Sequence, residues 1–218
     1  MRTFWGLDLS APAGRRQWEE LAPWPGDGRI LPVMAAQDGD IFLVSGARLY
    51  RGPDGQVTRE FLTDCYRYCP KTRQWQRISD APRPIVAAPN PGIPMGHAHI
   101  LFLSGDDGKH FFEAGELKDR HPGFSEDLHI YHTITDTWTQ AASLPKNIPA
   151  DSGLQSNSGI WPPVTTTCTM WRGRYVIPTG EIRPGVRTPK VLAARPIEWR
   201  RRFGMVNWVF LAVYVVAL

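Results

Sequence analysis

The chain has 218 residues, with 20 glycines, 20 prolines and nine tryptophans, and only 21% of its residues are charged. That mixture excludes a helical protein and favours many short strands joined by turns, built as one core or as several small repeat units. A net charge of +4 does not mark a nucleic-acid binder: the basic residues concentrate at Arg195, Arg200, Arg201 and Arg202, just before an apolar run, with no recognition helix beside them.

The N-terminus, Met1-Arg2-Thr3-Phe4-Trp5-Gly6-Leu7-Asp8, meets acidic and turn residues too early for the apolar stretch of a signal peptide. A strand is expected near Phe4–Leu9, a turn at Ala11–Gly14 and a second strand over Gln17–Leu21. Two longer segments then align with each other. The first runs from Gly39-Asp40-Ile41-Phe42-Leu43-Val44-Ser45-Gly46 through Tyr68 and Trp75 to Ala81-Pro82. The second runs from Ile100-Leu101-Phe102-Leu103-Ser104-Gly105 through Tyr131 and Trp138 to Leu144-Pro145. Trp75 and Trp138 are 63 residues apart, and Trp18 precedes Trp75 by 57. Each unit has an apolar strand ending in Ser-Gly, an insertion, a strand carrying Tyr, a turn, and a strand carrying Trp. Pro70-Lys71-Thr72 and Thr133-Ile134-Thr135-Asp136 supply the turn chemistry. A third unit is expected over Thr165–Trp171, Arg174–Pro178 and Thr179-Gly180, with a further strand beginning at Lys190–Ala193.

Such units resemble Kelch repeats, the four-stranded blades of a β-propeller. Ser-Gly lets neighbouring backbones approach near the axis, and the outer Tyr and Trp wedge between blades. One blade cannot bury its own faces, so blades must stack. The expected fold is all-β: a partial Kelch-type propeller of about three blades' worth of strands, below the roughly four to eight of a closed ring. Residues 1–25 form an outer half-blade and residues 26–195 the repeats. The ring is expected to be part of a longer product, or to be completed by a second copy. Cys65, Cys69 and Cys168 have no zinc-site spacing and read as strand packing. No cluster suggests a metal or an organic cofactor.

Residues 196–204 read as a basic juxtamembrane linker, and residues 205–218 as the start of a transmembrane helix. The apolar run from Met205 to Leu218 is shorter than the roughly 20 residues a span needs, which points to truncation. Trp208 sits where an interfacial anchor would, and the basic flank places the repeats in the cytoplasm, membrane-associated. A buried strand is the competing reading of this run.

The string Gly180-Glu181-Ile182-Arg183-Pro184-Gly185-Val186-Arg187-Thr188 carries the chemistry. Its Pro-Gly pair is expected to form a tight loop presenting Glu181 and Arg187 at one end of the propeller. Taken alone, a Glu and an Arg six apart are most often a solvated pair. The string nevertheless resembles the G-E-x-R-P-G-x-R-T motif of N-acetylneuraminate epimerases, the sialic acid mutarotases, in the cyclically permuted branch of that Kelch family. Phe102-Leu103-Ser104-Gly105-Asp106-Asp107-Gly108, His121-Pro122-Gly123-Phe124, and Tyr131 with Asp136-Thr137-Trp138 support it over roughly residues 25–194. The resemblance implies an enzyme that exchanges the α and β anomers of N-acetylneuraminate. Glu181 is then the catalytic acid/base, and Arg187 the catalytic partner of the substrate carboxylate or of developing negative charge. Arg183 binds substrate where the family often has lysine. His97 and His99 are secondary candidates for carrying protons, although inner-strand histidines are more often structural. The tail with Phe203-Gly204 is similar to the first helix of sodium:solute symporters, which implies a mutarotase fused to a transporter. The alternatives are a non-catalytic Kelch module that binds a sugar or a protein, and a degenerate fragment.

Overall fold

A computed structural model of the chain, described over residues 2–147 and 159–195, contains four antiparallel sheets. Strands β1 (Phe4–Leu7) and β2 (Trp18–Leu21) pair as a hairpin. A four-stranded sheet follows, in the order β3 (Val33–Gln37), β4 (Asp40–Arg51), β5 (Val57–Cys69) and β6 (Gln74–Ile78). The next sheet repeats the plan with β7 (Ile93–Met95), β8 (His99–Leu103), β9 (Asp127–His132) and β10 (Thr137–Ser143). The last comprises β11 (Thr169–Trp171), β12 (Arg174–Arg183) and β13 (Val186–Ala194). These are a half-blade, two whole blades and a three-stranded blade of a partial β-propeller.

The blades meet through one mixed core. Val33, Phe42, Val44 and Cys65 of the first whole blade pack on Ile85, Ile100, Phe102 and Tyr131 of the second, all essentially inaccessible to water. The rings of Phe42 and Tyr131 lie edge to face at 5.9 Å. On the outer side the tryptophans act as expected from their spacing. Trp75 on β6 donates its Nε1–H to the carbonyl of Ala22, one residue past β2, at 2.8 Å. Trp138 on β10 donates to Ser79, one residue past β6, at 3.0 Å. Each outer strand is thereby sewn to the end of the one before it. Trp18, the first of the series, is 66% exposed.

A second repeated bond sits two residues before each tryptophan. Asp136, in a left-handed turn at φ 54°, accepts the Ser79 N–H and the Tyr131 hydroxyl at its Oδ1, both at 2.8 Å. Arg73, at φ 56° in the matching turn, instead forms a two-point ion pair with Glu19 across to the half-blade.

The Ser-Gly and Thr-Gly pairs interrupt or end the second strand of each blade, as bulges in β4 and β12 and just past the end of β8. Ser45-Gly46, Ser104-Gly105 and Thr179-Gly180 all have positive φ at both residues. A Cβ on Gly105 would stand 3.0 Å from the backbone of Ile85, so only glycine permits the approach. The expected third unit proves larger than the sequence indicated. Its outer strand β13 begins at Val186, not Lys190, because β12 continues past the bulge to Arg183 and pairs with it.

Among the described residues no helix is long and apolar enough to cross a membrane. The linker expected over 196–204 and the membrane segment expected over 205–218 lie outside the described residues.

Candidate active site

The segment leading into each blade's innermost strand carries one residue in the left-handed region: Leu31, Ala87 and Thr165. These residues form a ladder from blade to blade. Ala87 N–H donates to the Leu31 carbonyl at 2.9 Å, and Thr165 N–H donates to that of Ala87 at 2.6 Å. Beside each ladder residue, a short antiparallel bridge ties the segment to the position just after the bulge: Ile30 to Ala47, Val86 to Asp106, and Val164 to Glu181. Ala47, Asp106 and Glu181 therefore occupy one equivalent backbone position in three successive blades.

Two of those three positions are acidic, and both face one cavity of about 340 Å³ that the three ladder residues also line. Each carboxyl group is oriented by a glycine N–H in the turn beyond it. Asp106 Oδ1 accepts from Gly108 at 2.9 Å. Glu181 Oε1 accepts from Gly185 at 2.7 Å, and its Oε2 accepts from the Thr165 hydroxyl at 3.3 Å. Burial pushes the Asp106 carboxyl above its usual range; Asp107 and Glu181 reinforce that, while the Gly108 N–H and the Arg59 charge oppose it. Asp106 thus favours the protonated form relative to a solvated aspartate. His121 also lines the cavity. Its pKa is lowered by burial and by the neighbouring His110 and Arg183, and its Nδ1 accepts from the Gly123 N–H at 3.1 Å. That geometry leaves the proton of the neutral ring on Nε2.

The residues singled out in the sequence are brought close together in the chain but used differently. Residues 180–188 are not a free loop: Glu181 and Arg187 are direct cross-strand partners in the β12–β13 hairpin, which turns at Pro184-Gly185. Arg187 is exposed and donates to the Thr165 carbonyl at 3.1 Å. It braces the ladder residue that bonds Glu181 and does not itself line the cavity. Arg183 is only 3% exposed. It donates to the Asp119 carbonyl at 2.6 Å and lies over the Trp161 ring at 5.4 Å. Arg183 does not line the cavity, and its bond braces the 118–120 turn that leads into His121. His99 opens β8 and His97 lies two residues before it, at the end of the strand away from Asp106. Neither lines the cavity, and the His99 ring packs edge-on against His132 at 4.5 Å.

Three cavity residues escaped the sequence reading of roles: Asp106, His121 and Arg59. Asp106 and His121 stand within the supporting strings, and the series Ser-Gly-Ala, Ser-Gly-Asp, Thr-Gly-Glu contains the signal for Asp106. Among the described residues no group of three or more His, Cys, Asp or Glu side chains is placed to hold a metal ion. A second cavity of about 310 Å³ between the last two blades is walled by Leu101, Leu128, Tyr175, Ile177 and Leu192 and is apolar.

No family model matches the chain. Its sequence is similar to N-acetylneuraminate epimerase of Haemophilus influenzae (strain 86-028NP), 25% identical over 224 residues, covering 90% of this chain and 53% of the relative. It is also similar to the N-acetylneuraminate epimerase of Yersinia enterocolitica serotype O:8, 24% identical over 209 residues, covering 85% of this chain and 49% of the relative. The chain thus spans about half the length of the curated relatives it matches. A solved structure of YjhT superposes with a TM-score of 0.64 at 19% identity, over 91% of this chain and 60% of that one. The chain is a homologue of proteins named N-acetylneuraminate epimerase and shares its blade arrangement with YjhT.

Proposed function

We propose that this chain is a Kelch-type mutarotase domain that exchanges the anomers of a sugar acid such as N-acetylneuraminate. The observation that carries the reading is the pair of oriented carboxyl groups, Asp106 and Glu181, at equivalent positions of adjacent blades in one cavity. Relatives with the epimerase name supply the substrate class.

Anomer exchange opens and recloses a cyclic hemiketal. One group removes the proton of the anomeric hydroxyl as the bond from the anomeric carbon to the ring oxygen breaks, and another protonates that oxygen. Glu181, oriented through both of its oxygens, is the base. Asp106, biased by burial towards its acid form, is the donor. Rotation about the freed carbon–carbon bond and the reverse proton transfers then close the ring on its other face, leaving both residues as they began. Arg187 holds positive charge beside Glu181 and fixes Thr165, while Arg183 fixes the turn before His121.

The test follows the α and β signals of N-acetylneuraminate by NMR in the presence of the purified chain. Acceleration by wild type, with E181Q slower by about 100-fold or more and R187A strongly impaired, supports the reading. Equal rates in wild type and E181Q overturn the assignment, and no acceleration by wild type overturns the activity. Because the described residues wall the cavity from three blades, a module that binds a sugar acid without turning it over is the second reading; saturable binding without exchange would select it.

In the same proposal, residues 205–218 begin a membrane helix that leads into a sodium:solute symporter, with the repeats on the cytoplasmic side. A second copy or a longer chain supplies the remaining blades. Recovery of the intact chain in the soluble fraction without detergent would count against the membrane part.

A further inference from the structure

One guanidinium in the cavity is held by stacking rather than by an ion pair. Arg59 lies on β5, half-buried, and lines the cavity together with Asp106 and Glu181. Other arginines around the site are committed. Arg29 is paired with Asp64, Arg83 with Asp127, Arg183 with the Asp119 carbonyl and Arg187 with the Thr165 carbonyl. Among the described residues Arg59 makes no ion pair or hydrogen bond; it stacks with its guanidinium carbon 4.7 Å from the centre of the Phe111 ring. Phe111 is itself held edge to face by Phe61 at 5.5 Å.

This arrangement has a chemical meaning. A ring beneath the guanidinium fixes its plane and takes up its face, while all five N–H donors stay at the edge. Val86, Phe124 and Val164 contribute apolar surface to the same cavity. A planar cation held in this way suits a planar anion with two oxygens, bound through two parallel hydrogen bonds. Neither nearby acid forms an ion pair with it, although its charge helps hold the Asp106 pKa down: Asp106 is tied to Gly108, and Glu181 to Gly185 and Thr165. We propose that Arg59 is the receptor for the substrate's carboxylate and sets the preference of this cavity for acidic over neutral sugars. The proposal rests on the reading of the cavity as a sugar-acid site. It moves carboxylate recognition from the β12–β13 hairpin to β5 and leaves Arg187 to the charge that develops near Glu181.

The experiment measures binding of N-acetylneuraminate and of its methyl ester to the whole chain by calorimetry, for wild type, R59K and R59Q. Wild type is expected to prefer the acid by about tenfold or more. R59Q should bind the ester as wild type does and lose most of the preference for the acid. R59K, which keeps the charge without the fork, should fall between them. In the exchange assay R59Q should raise KM with little change in kcat, because the carboxylate is bound equally in ground and transition states. A folded R59Q that retains the full preference overturns the role of Arg59 and leaves the mutarotase reading standing. If R59Q does not fold, an R59K with wild-type preference and KM overturns it equally. Wild type that binds neither ligand removes the function on which the proposal depends.

Discussion

Asp136→Ala is expected to loosen the joint between the two whole blades. The carboxylate accepts the Ser79 N–H from the neighbouring blade and the hydroxyl of Tyr131, a side chain only 1% exposed. A hydrogen bond to a charged acceptor contributes about 1.5–3 kcal/mol, and orphaning a buried hydroxyl costs about 1–3 kcal/mol. The Ser79 bond is closer to solvent and water replaces part of it. Alanine also tolerates the left-handed turn poorly, which adds about 1 kcal/mol. The expected loss is therefore about 3–4 kcal/mol in total. Asp136→Asn keeps an acceptor oxygen and the turn preference, and should recover more than half of it. Arg73→Ala removes the bond at the matching turn, but that ion pair with Glu19 is exposed on both sides, so its loss should fall within the scatter of replicate melts. Urea denaturation of the whole chain, followed by tryptophan fluorescence, measures all three variants. Equal costs for D136A and R73A, or a D136A loss below about 1 kcal/mol, would refute the reasoning that burial of the Tyr131 end gives this bond its weight.

Two further outcomes follow from the titrating groups. Burial raises the Asp106 pKa above its unfolded value, so the stability linked to its proton is present in acid and lost as pH rises through the folded pKa. D106N lacks that titration. Its stability relative to wild type should increase from about pH 4 to about pH 7, and a gap that is constant or of opposite slope in urea midpoints would contradict the placement of the carboxyl. For the thiols, hydrogen bonds from Thr72 lower the Cys69 pKa, whereas burial pushes Cys65 up to about 12 and Cys168 up to about 11. Iodoacetamide should therefore label Cys69 first in the native chain; labelling of Cys65 at the same rate would show that its blade opens readily.

What was legible in the sequence was whatever recurs. The spacing of Trp75 and Trp138 located the outer strands because each indole must reach the same carbonyl of the preceding blade. The Ser-Gly pairs marked where neighbouring backbones come close because only small residues permit that approach. The half-blade before Leu21 was visible because strand, turn and Trp18 repeat in miniature. Interactions between non-repeating insertions were not legible. Arg59 belongs to the long outer part of β5, and its stacking partner Phe111 comes from an insertion more than 50 positions later; no period links them. The length of β12 was misjudged because Thr179-Gly180 reads as a strand end, whereas its bulge lets pairing resume at Gly180 and run on to Arg183. The burial of Arg183 beside Trp161 was not legible because it depends on the chain folding back across the blade.

The equivalence of Ala47, Asp106 and Glu181 separates where a group is held from what it does. Ala47 is fully buried against Val86, Ala87, Phe124 and Val164, while its two counterparts carry carboxyl groups on the same backbone bridge. The main-chain bonds that close the bridge are indifferent to the side chain between them. A ring built this way can exchange methyl for acid, or a short acid for a long one, by single codon changes without redrawing the scaffold. New cavity chemistry in such proteins can therefore arise by substitution at a recurring address, with the blades around it left as they were.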